Sequence, residues 1–262
     1  MKKKLFFALL LSAPVLFSCT KYKEINEEGY PEQTVYLPVA VEGNSTGGVY
    51  FINRVATPGQ VYRYQVDPAA KRLRIPMAAY RSGVDRKGAI DVSIAVDVDS
   101  ANRMLLAGKL PAGTEMLPAG KYEVPSSVTI PDGAGDAPFN FSVDLDYLVA
   151  NPTKKFAIGV AVSTAGKKTG ANRLAVLLID ASFLVPVANF TTSITGRTVS
   201  FSNTSVNGVS YTWNYGDGSA LSTAAAATYT YTAAGTYMVT LTATGALGAS
   251  NPSVKTATVT VL

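Results

Sequence analysis

The chain has 262 residues, with 23 Lys and Arg against 18 Asp and Glu, a formal net charge of +5, one cysteine and no histidine. Zinc, copper and non-haem iron sites usually need imidazole or several thiolates, and serine and cysteine hydrolases usually need a histidine base, so these chemistries are close to excluded. Carboxylate chemistry, lysine chemistry, calcium binding or no catalysis remain.

The N-terminus has the pattern of a cleaved export signal. A Lys2–Lys4 run precedes an apolar stretch, residues 5–17, which is too short to cross a bilayer because a spanning helix needs roughly 20 apolar residues. The pattern predicts a signal peptide over residues 1–18. Its end, Leu16-Phe17-Ser18-Cys19, resembles a bacterial lipobox. The resemblance implies that the chain is cleaved before Cys19 and that Cys19 is acylated. The alternative is an ordinary secretory peptide with an incidental cysteine.

Residues 19–33 are predicted to be the lipidated N-terminus and a tether, because they are polar and lack periodicity. Glu24, Glu27 and Glu28 weakly resemble the acidic export signals of some Gram-negative surface lipoproteins, a solvated linker being the alternative. Loss of the signal peptide would remove three lysines and leave 20 basic residues against 18 acidic ones. Charge therefore gives no reason to expect a nucleic-acid partner.

From Thr34 onward the sequence predicts β-structure. Apolar and polar residues alternate in several stretches separated by Gly and Pro turn signals, which predicts strands with one face in a core and the other toward water. No amphipathic helix is predicted, beyond one turn over residues 144–149, and Pro186 marks a break after a last strand. We expect an N-terminal β-sandwich over residues 34–185. The stretches concerned are 35–41, 90–98, 139–145 and 156–162, and the last strand is 174–185.

Three segments of this domain share strand and turn patterns with a known family. They run over residues 35–54, 76–88 and 117–146. Through them, residues 34–182 resemble immunoglobulin-like domains of unassigned function from Gram-negative glycan-utilisation lipoproteins, a unit that also precedes some family 18 endoglycosidases. The resemblance rests on strands and turns and not on catalytic motifs, so it implies an accessory role connected with glycans.

After Pro186 the composition shifts toward Thr, Ser and Ala with few charges, and residues 186–262 are predicted to be a second domain. The run Tyr211-Thr-Trp-Asn-Tyr-Gly-Asp-Gly218 is followed by Tyr231-Thr-Ala-Ala-Gly-Thr-Tyr-Met-Val-Thr-Leu241. The two motifs resemble the signature of polycystic kidney disease (PKD) domains. The resemblance implies a seven-stranded immunoglobulin-like sandwich that acts as a spacer or weak binding unit, so the predicted fold class is all-β, two such sandwiches in tandem.

Particular residues of the second domain have predicted roles. Strand alternation places Trp213 in the core, a sugar-stacking platform being the alternative. Gly216-Asp217-Gly218 predicts a tight turn in which Asp217 bonds backbone amides, with calcium binding as the alternative. Asn207-Gly208 predicts a hairpin between the runs on either side of it.

Three groups of residues are candidates for chemistry in the first domain. Asp97 with Asp99, and Asp144 with Asp146, have the spacing of carboxylate pairs on one strand face, about 6.6 Å apart, which glycoside hydrolysis could use. Their water-facing alternation favours plain solvated surface. The run 132–136 could hold calcium, a polar loop being favoured. The third group could form a carbohydrate face or only the rims of the sandwich: Arg54, Arg63, Arg72, Arg74, Arg81, Arg86, Tyr50, Tyr62, Tyr64 and Tyr80.

The sequence therefore predicts a non-catalytic lipoprotein, anchored to the outer membrane through Cys19 at the cell surface. It is predicted to bind or present glycans, with a polysaccharide ligand and an outer-membrane glycan transporter as partners. The alternatives are an adhesive or structural surface protein that binds other proteins, and a carboxylate glycoside hydrolase. No catalytic residue, metal ligand, cofactor or ligand-binding residue is assigned.

The lipid anchor is testable by Cys19→Ala. We expect this variant to lose acyl labelling and membrane retention, because acyl chains contribute about 0.8 kcal/mol per buried CH₂ to anchoring. Its circular dichroism spectrum should match the wild type, since a chain with one cysteine has no internal disulfide to lose. Ser18→Ala, which keeps a small residue before the cysteine, is the control. Equal membrane fractionation of Cys19→Ala and wild type would contradict the prediction.

Overall fold

The computed structural model describes residues 33–41, 47–52 and 63–262. The predicted signal peptide, Cys19 and the acidic residues after it lie outside the described residues. Within the described ranges, no helix is both long and apolar enough to span a bilayer. The fold is all-β, as the sequence predicts, and consists of two β-sandwiches in tandem.

The first sandwich contains most of the regular structure. Short 3₁₀ turns, Pro38–Ala40 and Ala181–Leu184, supplement its strands and two helices. In chain order the elements are β1 Thr34–Tyr36, β2 Val49–Ile52, β3 Gln65–Asp67, β4 Arg72–Arg81, β5 Ile90–Val96, α1 Val98–Leu106, β6 Thr114–Met116, β7 Tyr122–Glu123, β8 Ser127–Ile130, β9 Asp136–Asp144, α2 Leu145–Val149, β10 Lys155–Ser163, β11 Lys168–Thr169 and β12 Leu174–Asp180.

Two sheets face each other in this sandwich. One has the order β11-β1-β4-β9-β7, with β3 paired to β4, and the other has the order β2-β12-β10-β5-β8, with β6 paired to β10. The alternating apolar residues of β9, β10 and β12, such as Phe141, Phe156 and Leu177, are fully buried between the sheets. The period-two pattern of the sequence thus forms the core that it predicts.

The second sheet is covered on its outer side as well. Ala157, Val176 and Leu178 point away from the main core and pack with Ala101 of α1. The prediction of one wet face is wrong for β10, and so is the prediction that no amphipathic helix is present. A nine-residue helix offers too few turns for its period to stand out against the strand alternation that ends at Val96.

The last strand of the first sandwich is shorter than predicted. β12 ends at Asp180, and the chain then forms the 3₁₀ turn instead of continuing to 185. The carboxylate of Asp180 accepts a hydrogen bond from the amide of Ser182 at 3.1 Å, which favours a turn over continued extension. The single helical turn predicted over 144–149 is confirmed as α2.

Residues 186–262, all described, form the second sandwich. Its sheets have the orders β13-β14-β16 and β15-β17-β18, six strands instead of the expected seven. Trp213 is fully buried between them, with its ring 5.2 Å from Phe190 and 5.3 Å from Phe201, which confirms its predicted place in the core. The strands are β13 Phe190–Thr195, β14 Thr198–Asn203, β15 Ser210–Asn214, β16 Ala227–Thr230, β17 Gly235–Gly245 and β18 Gly248–Val261.

The predicted hairpin at Asn207-Gly208 is wrong. β14 pairs with β13 and β16, whereas β15 pairs with β17, so the connection crosses from one sheet to the other. Asn207 does adopt a positive φ of 59°, which a hairpin turn would also need. Its side chain instead donates to the carbonyl oxygens of Ser182 at 2.8 Å and Val185 at 3.1 Å, in the segment that joins the two sandwiches.

The outer surfaces of the second sandwich carry hydroxyl groups and few charges. Residues 186–262 contain Arg197, Asp217 and Lys255 as their charged side chains. Threonine hydroxyls pair across strands on both sheets, Thr236 with Thr260 at 3.1 Å in one and Thr198 with Thr230 at 2.9 Å in the other.

Each sandwich has its own core, but one residue crosses between them. Leu247, in the turn between β17 and β18, is 8% exposed and belongs to the core cluster of the first sandwich. The remaining buried apolar residues of the second sandwich form a separate cluster around Trp213. The predicted domain boundary between residues 185 and 186 stays a prediction.

The burial of Trp213 is testable by Trp213→Ala. We expect a loss of about 3–5 kcal/mol in the free energy of unfolding, because truncating a buried large aromatic removes its transfer energy and leaves a cavity. Urea denaturation followed by circular dichroism measures it. Leu221→Ala, at a site that is 61% exposed, should change stability by less than about 0.5 kcal/mol. A loss below about 1 kcal/mol at Trp213 would contradict its core role.

Candidate functional site

The first predicted carboxylate pair does not lie on a strand. Asp97 follows the end of β5 and is the N-cap of α1, and Asp99 is an exposed residue of the first helical turn. The Asp97 carboxylate accepts hydrogen bonds from the Ser100 amide at 2.8 Å and the Ser100 hydroxyl at 2.7 Å. The hydroxyl bond is the main cause that lowers the pKa of Asp97. The carboxylate is therefore used to start a helix.

The second pair is divided between two different partners. Asp144 ends β9 and caps α2, accepting from the Tyr147 amide at 3.0 Å, and its carboxylate lies 3.1 Å from the Lys121 ammonium. Burial acts to raise the pKa of Asp144, but these hydrogen bonds and the nearby positive charge outweigh it, so the pKa is lowered. Asp146 instead pairs with Lys71 at 2.7 Å. The strand-face geometry assumed for hydrolysis is absent at both pairs.

The loop over residues 132–136 is organised by protein hydrogen bonds. The carboxylate of Asp132 accepts from the Gly88 amide at 2.6 Å, and Asp136 begins β9. In the part of the chain that the structure describes, no three acidic, thiol or imidazole side chains come together as a metal site. The loop connects β8 to β9, which is the plain role that the sequence favours.

The described arginines and tyrosines of the predicted carbohydrate face do not all lie on one face. Tyr50 and Tyr64 are core residues, each 9% exposed, whereas Tyr80 is 36% exposed with its ring 6.0 Å from that of Tyr36. Several of the arginines have their own partners: Arg72 pairs with Glu123, Arg74 with Asp67 at 2.7 Å, and Arg63 lies 4.5 Å from the Tyr50 ring centroid. Arg54 and Tyr62 lie outside the described residues.

Arg81 is buried, so it lies neither on an exposed carbohydrate face nor on the rim of the sandwich, the two places that the sequence left open. It is 5% exposed, and its guanidinium donates to the carbonyl oxygens of Arg86 at 2.9 Å and Pro131 at 2.7 Å. Since these carbonyls belong to two loops at the same end of the sandwich, Arg81 joins the loops together. Its role is structural.

Asp217 has the turn role that the sequence predicts. Its carboxylate accepts from the Ser219 amide at 3.1 Å and from the Tyr229 hydroxyl at 2.6 Å. The hydrogen bond with Ser219, followed by that with Tyr229, lowers the pKa of Asp217. Behind this turn, Tyr231 is buried and donates to the Tyr215 carbonyl at 2.9 Å, and burial is the main cause that raises its pKa to about 12.

A cleft of about 560 Å³ lies where the two sandwiches meet. This volume is within the range of small-molecule sites, which are mostly apolar with a few convergent polar groups. Its apolar lining comes from the turn before β4, from α2 and the residues after it, from the joining segment and from the β17–β18 turn. The residues are Pro68, Leu145, Val149, Pro152, Val185 and Leu247.

The polar lining of the cleft contains one positive side chain, one negative side chain and two neutral polar side chains. Lys71 and Asp146 form an ion pair of 2.7 Å on one wall, with side chains 67% and 64% exposed. Ser250 and Asn251, from the start of β18, supply a hydroxyl and an amide on the other wall. The hydrogen bond with Asp146 is the main cause that raises the pKa of Lys71. This lining can bind a polar molecule that also has apolar surface.

Two contacts hold the walls of the cleft together. Leu247 inserts from the second sandwich into the core of the first, and the Asn207 amide bonds the carbonyls of the joining segment. Close packing at Pro186 adds a third constraint, because a Cβ on Gly245 would lie 2.9 Å from the proline ring. The cleft is therefore a consequence of how the second sandwich is attached.

Comparisons with known proteins match two separate ranges of the chain. A family model for PKD domains matches residues 185–261. The solved PKD1 domain of the Vibrio cholerae metalloprotease PrtV is 42% identical, with 96% of that domain and 29% of this chain covered, at a TM-score of 0.28. Residues 185–261 form a PKD domain. The N-terminal part, residues 43–169, matches a second family model described as an N-terminal domain.

The curated relatives match the PKD domain alone. They are the pre-pro-metalloproteases PrtV of two Vibrio cholerae O1 strains, 46% identical over 72 residues, which is 26% of this chain and 8% of each relative. The chain thus spans less than a tenth of their length.

Other solved structures extend over both sandwiches. They include a putative carbohydrate-binding protein from Bacteroides ovatus (10% identity, 87% of this chain and 70% of that one, TM-score 0.40) and an auxiliary nutrient-binding protein from Bacteroides thetaiotaomicron (16%, 80% and 70%, 0.35).

Sequence reasoning missed the cleft and its residues. One signal was present: Leu247 is a large apolar residue in a Gly-Ala-Leu-Gly turn, where polar residues are usual, so it needed a partner outside the PKD domain. Lys71 gave no comparable signal, because its proximity to Asp146 depends on the register of β4 with β9.

The capping role of Asp97 is testable by Asp97→Ala. We expect a loss of about 0.5–2 kcal/mol in the free energy of unfolding, the usual range for removing an N-cap side chain. Asp99→Ala, the control, should change it by less than about 0.5 kcal/mol.

The pH dependence of this difference follows from the sign of the pKa shift. Because the folded-state pKa of Asp97 is lowered, its contribution is present above the ordinary aspartate value of about 3.9 and is lost as the pH falls through the lower folded value. The two proteins should therefore converge in stability at acid pH. Equal stability at pH 7 would show that Asp97 does not cap α1.

Proposed function

We propose that this protein is a non-catalytic lipoprotein that binds glycans in the cleft between its N-terminal sandwich and its PKD domain. The observation that carries the proposal is the cleft itself, whose 560 Å³ combine six apolar residues with an ion pair, a hydroxyl and an amide. Sugars have C–H faces that pack on apolar side chains and hydroxyls that both donate and accept, so such a lining suits them.

The positions of the carboxylates support a binding role over hydrolysis. Retaining and inverting glycosidases need two carboxyl groups facing each other across the scissile bond. Asp97 and Asp144 cap helices, and among the described residues Asp146 is the one carboxylate that lines the cleft. A single acidic residue paired with a lysine can orient a hydroxyl but lacks the second carboxyl group of that mechanism.

The remaining parts of the proposal concern location and partners. We propose that acylated Cys19 anchors the protein to the outer membrane with both sandwiches at the cell surface, where the cleft would present glycan to an outer-membrane transporter. The lipobox resemblance and the resemblance of residues 34–182 to domains of glycan-utilisation lipoproteins support this placement.

The proposal is tested by titrating the purified full chain with neutral polysaccharides (dextran, galactan, mannan and xylan) in affinity electrophoresis and calorimetry. We expect binding to at least one, and Ser250→Trp should weaken it at least about tenfold, because the indole would fill the rim of the cleft. Ser202→Trp, at an exposed position of β14 that does not line the cleft, is the matched control and should bind like the wild type.

Two results would contradict the proposal. Failure of the wild type to bind any carbohydrate would exclude the function, and unchanged binding by Ser250→Trp would exclude the cleft as its site. Release of reducing sugar by the wild type would replace binding with hydrolysis.

A further inference from the structure

Lys71 has a backbone conformation that its residue type disfavours. Its φ is +54°, in the left-handed region, where the Cβ of most L-residues is crowded. Among the residues that the structure describes, every other position with positive φ is a glycine except Asn207, and asparagine tolerates this region well. A glycine or an asparagine would therefore fit the turn between β3 and β4 better than lysine does.

The turn itself does not need the lysine side chain. The Lys71 amide donates to the Pro68 carbonyl at 3.3 Å, and its carbonyl accepts from the Leu145 amide at 3.1 Å. The Asp67 carboxylate closes the turn by accepting from the Ala70 amide at 2.9 Å. All of these contacts would be made by any residue at position 71 that adopts the same φ.

The ion pair with Asp146 does not account for the lysine either. Both side chains are about two thirds exposed, and ion pairs in water contribute little to stability because solvent screens the charges and the long side chains lose freedom. A strained residue that the fold does not require is a common mark of a functional position. Lys71 also lines the cleft.

We propose that Lys71 is a specificity-determining residue of the cleft, and that with Asp146 it selects uncharged sugars bearing adjacent hydroxyls. This inference rests on the proposed function. The ammonium donates to one hydroxyl oxygen, and the carboxylate accepts from the neighbouring hydroxyl. Because the pair carries no net charge, an anionic sugar meets repulsion from Asp146 that offsets its attraction to Lys71. A lysine ammonium is charged at neutral pH, and the hydrogen bond with Asp146 raises the pKa of Lys71 further in the same direction.

The test compares Lys71→Asn, Lys71→Gly and Asp146→Asn in the full chain, with the neutral polysaccharides above and polygalacturonate as probes. We expect both Lys71 variants to melt at the same temperature as the wild type or a few degrees higher, since the backbone strain is relieved, and to bind the neutral glycan at least about tenfold more weakly. Lys154→Asn is the matched control, because Lys154 forms a similar exposed pair with Glu115 outside the cleft, at 2.9 Å. It should leave binding unchanged.

The Asp146→Asn variant tests the ligand class. It removes the repelling carboxylate and leaves the ammonium unpaired, so it should gain affinity for polygalacturonate, whereas Lys71→Asn should not. Neutral binding that survives in both Lys71 variants, or a melting temperature that falls in both, overturns this inference alone. Wild-type preference for polygalacturonate overturns the ligand class. Absence of all carbohydrate binding overturns the proposed function instead.

Discussion

The burial of β10 and β12 on both faces is the constraint on which the first sandwich depends. Their inner residues form the main core, and their outer residues require a cover, which α1 provides. The helix in turn needs a sharp exit from β5. At that point the Asp97 carbonyl lies so close to Gly159 that a Cβ on residue 159 would be 2.1 Å from the carbonyl oxygen. The glycine in the central strand β10 therefore makes room for the aspartate at which α1 begins.

The second sandwich is attached by a few local contacts and not by extended burial. It relies on one inserted leucine and a few hydrogen bonds to the joining segment, without a large shared core. Leu247 lies in the turn between β17 and β18 and reaches the first core from the end of that hairpin, and the cleft lies beside this contact. The proposed binding site therefore depends on the attachment of the hairpin by its turn.

Much of the fold was predictable because strand alternation and turn residues are local signals. The inner faces of β9 and β10 and the core position of Trp213 followed directly from the sequence. The helix α1 did not, since a nine-residue element was hidden behind a strand-like pattern. An indication of two-sided burial was present, because the residues between Phe156, Ile158 and Val160 are alanine and glycine and not polar.

The candidate site was far less accessible to sequence reasoning. Its residues come from four separate parts of the chain, and their meeting depends on strand register and on the crossing made at Asn207. The carboxylate pairs show the opposite error, since a spacing of two residues has different meanings on a strand and at a helix start.

The shortage of charge on the PKD domain has an electrostatic consequence. With three charged side chains over residues 186–262, two positive and one negative, this domain produces only a weak long-range field. Hydroxyl groups keep such a surface hydrated without attracting counterions. The domain will therefore neither steer nor repel an approaching charged polymer, and its contacts will be nearly independent of ionic strength. A salt dependence measured for residues 1–262 would therefore point to the first sandwich or to the segment before it.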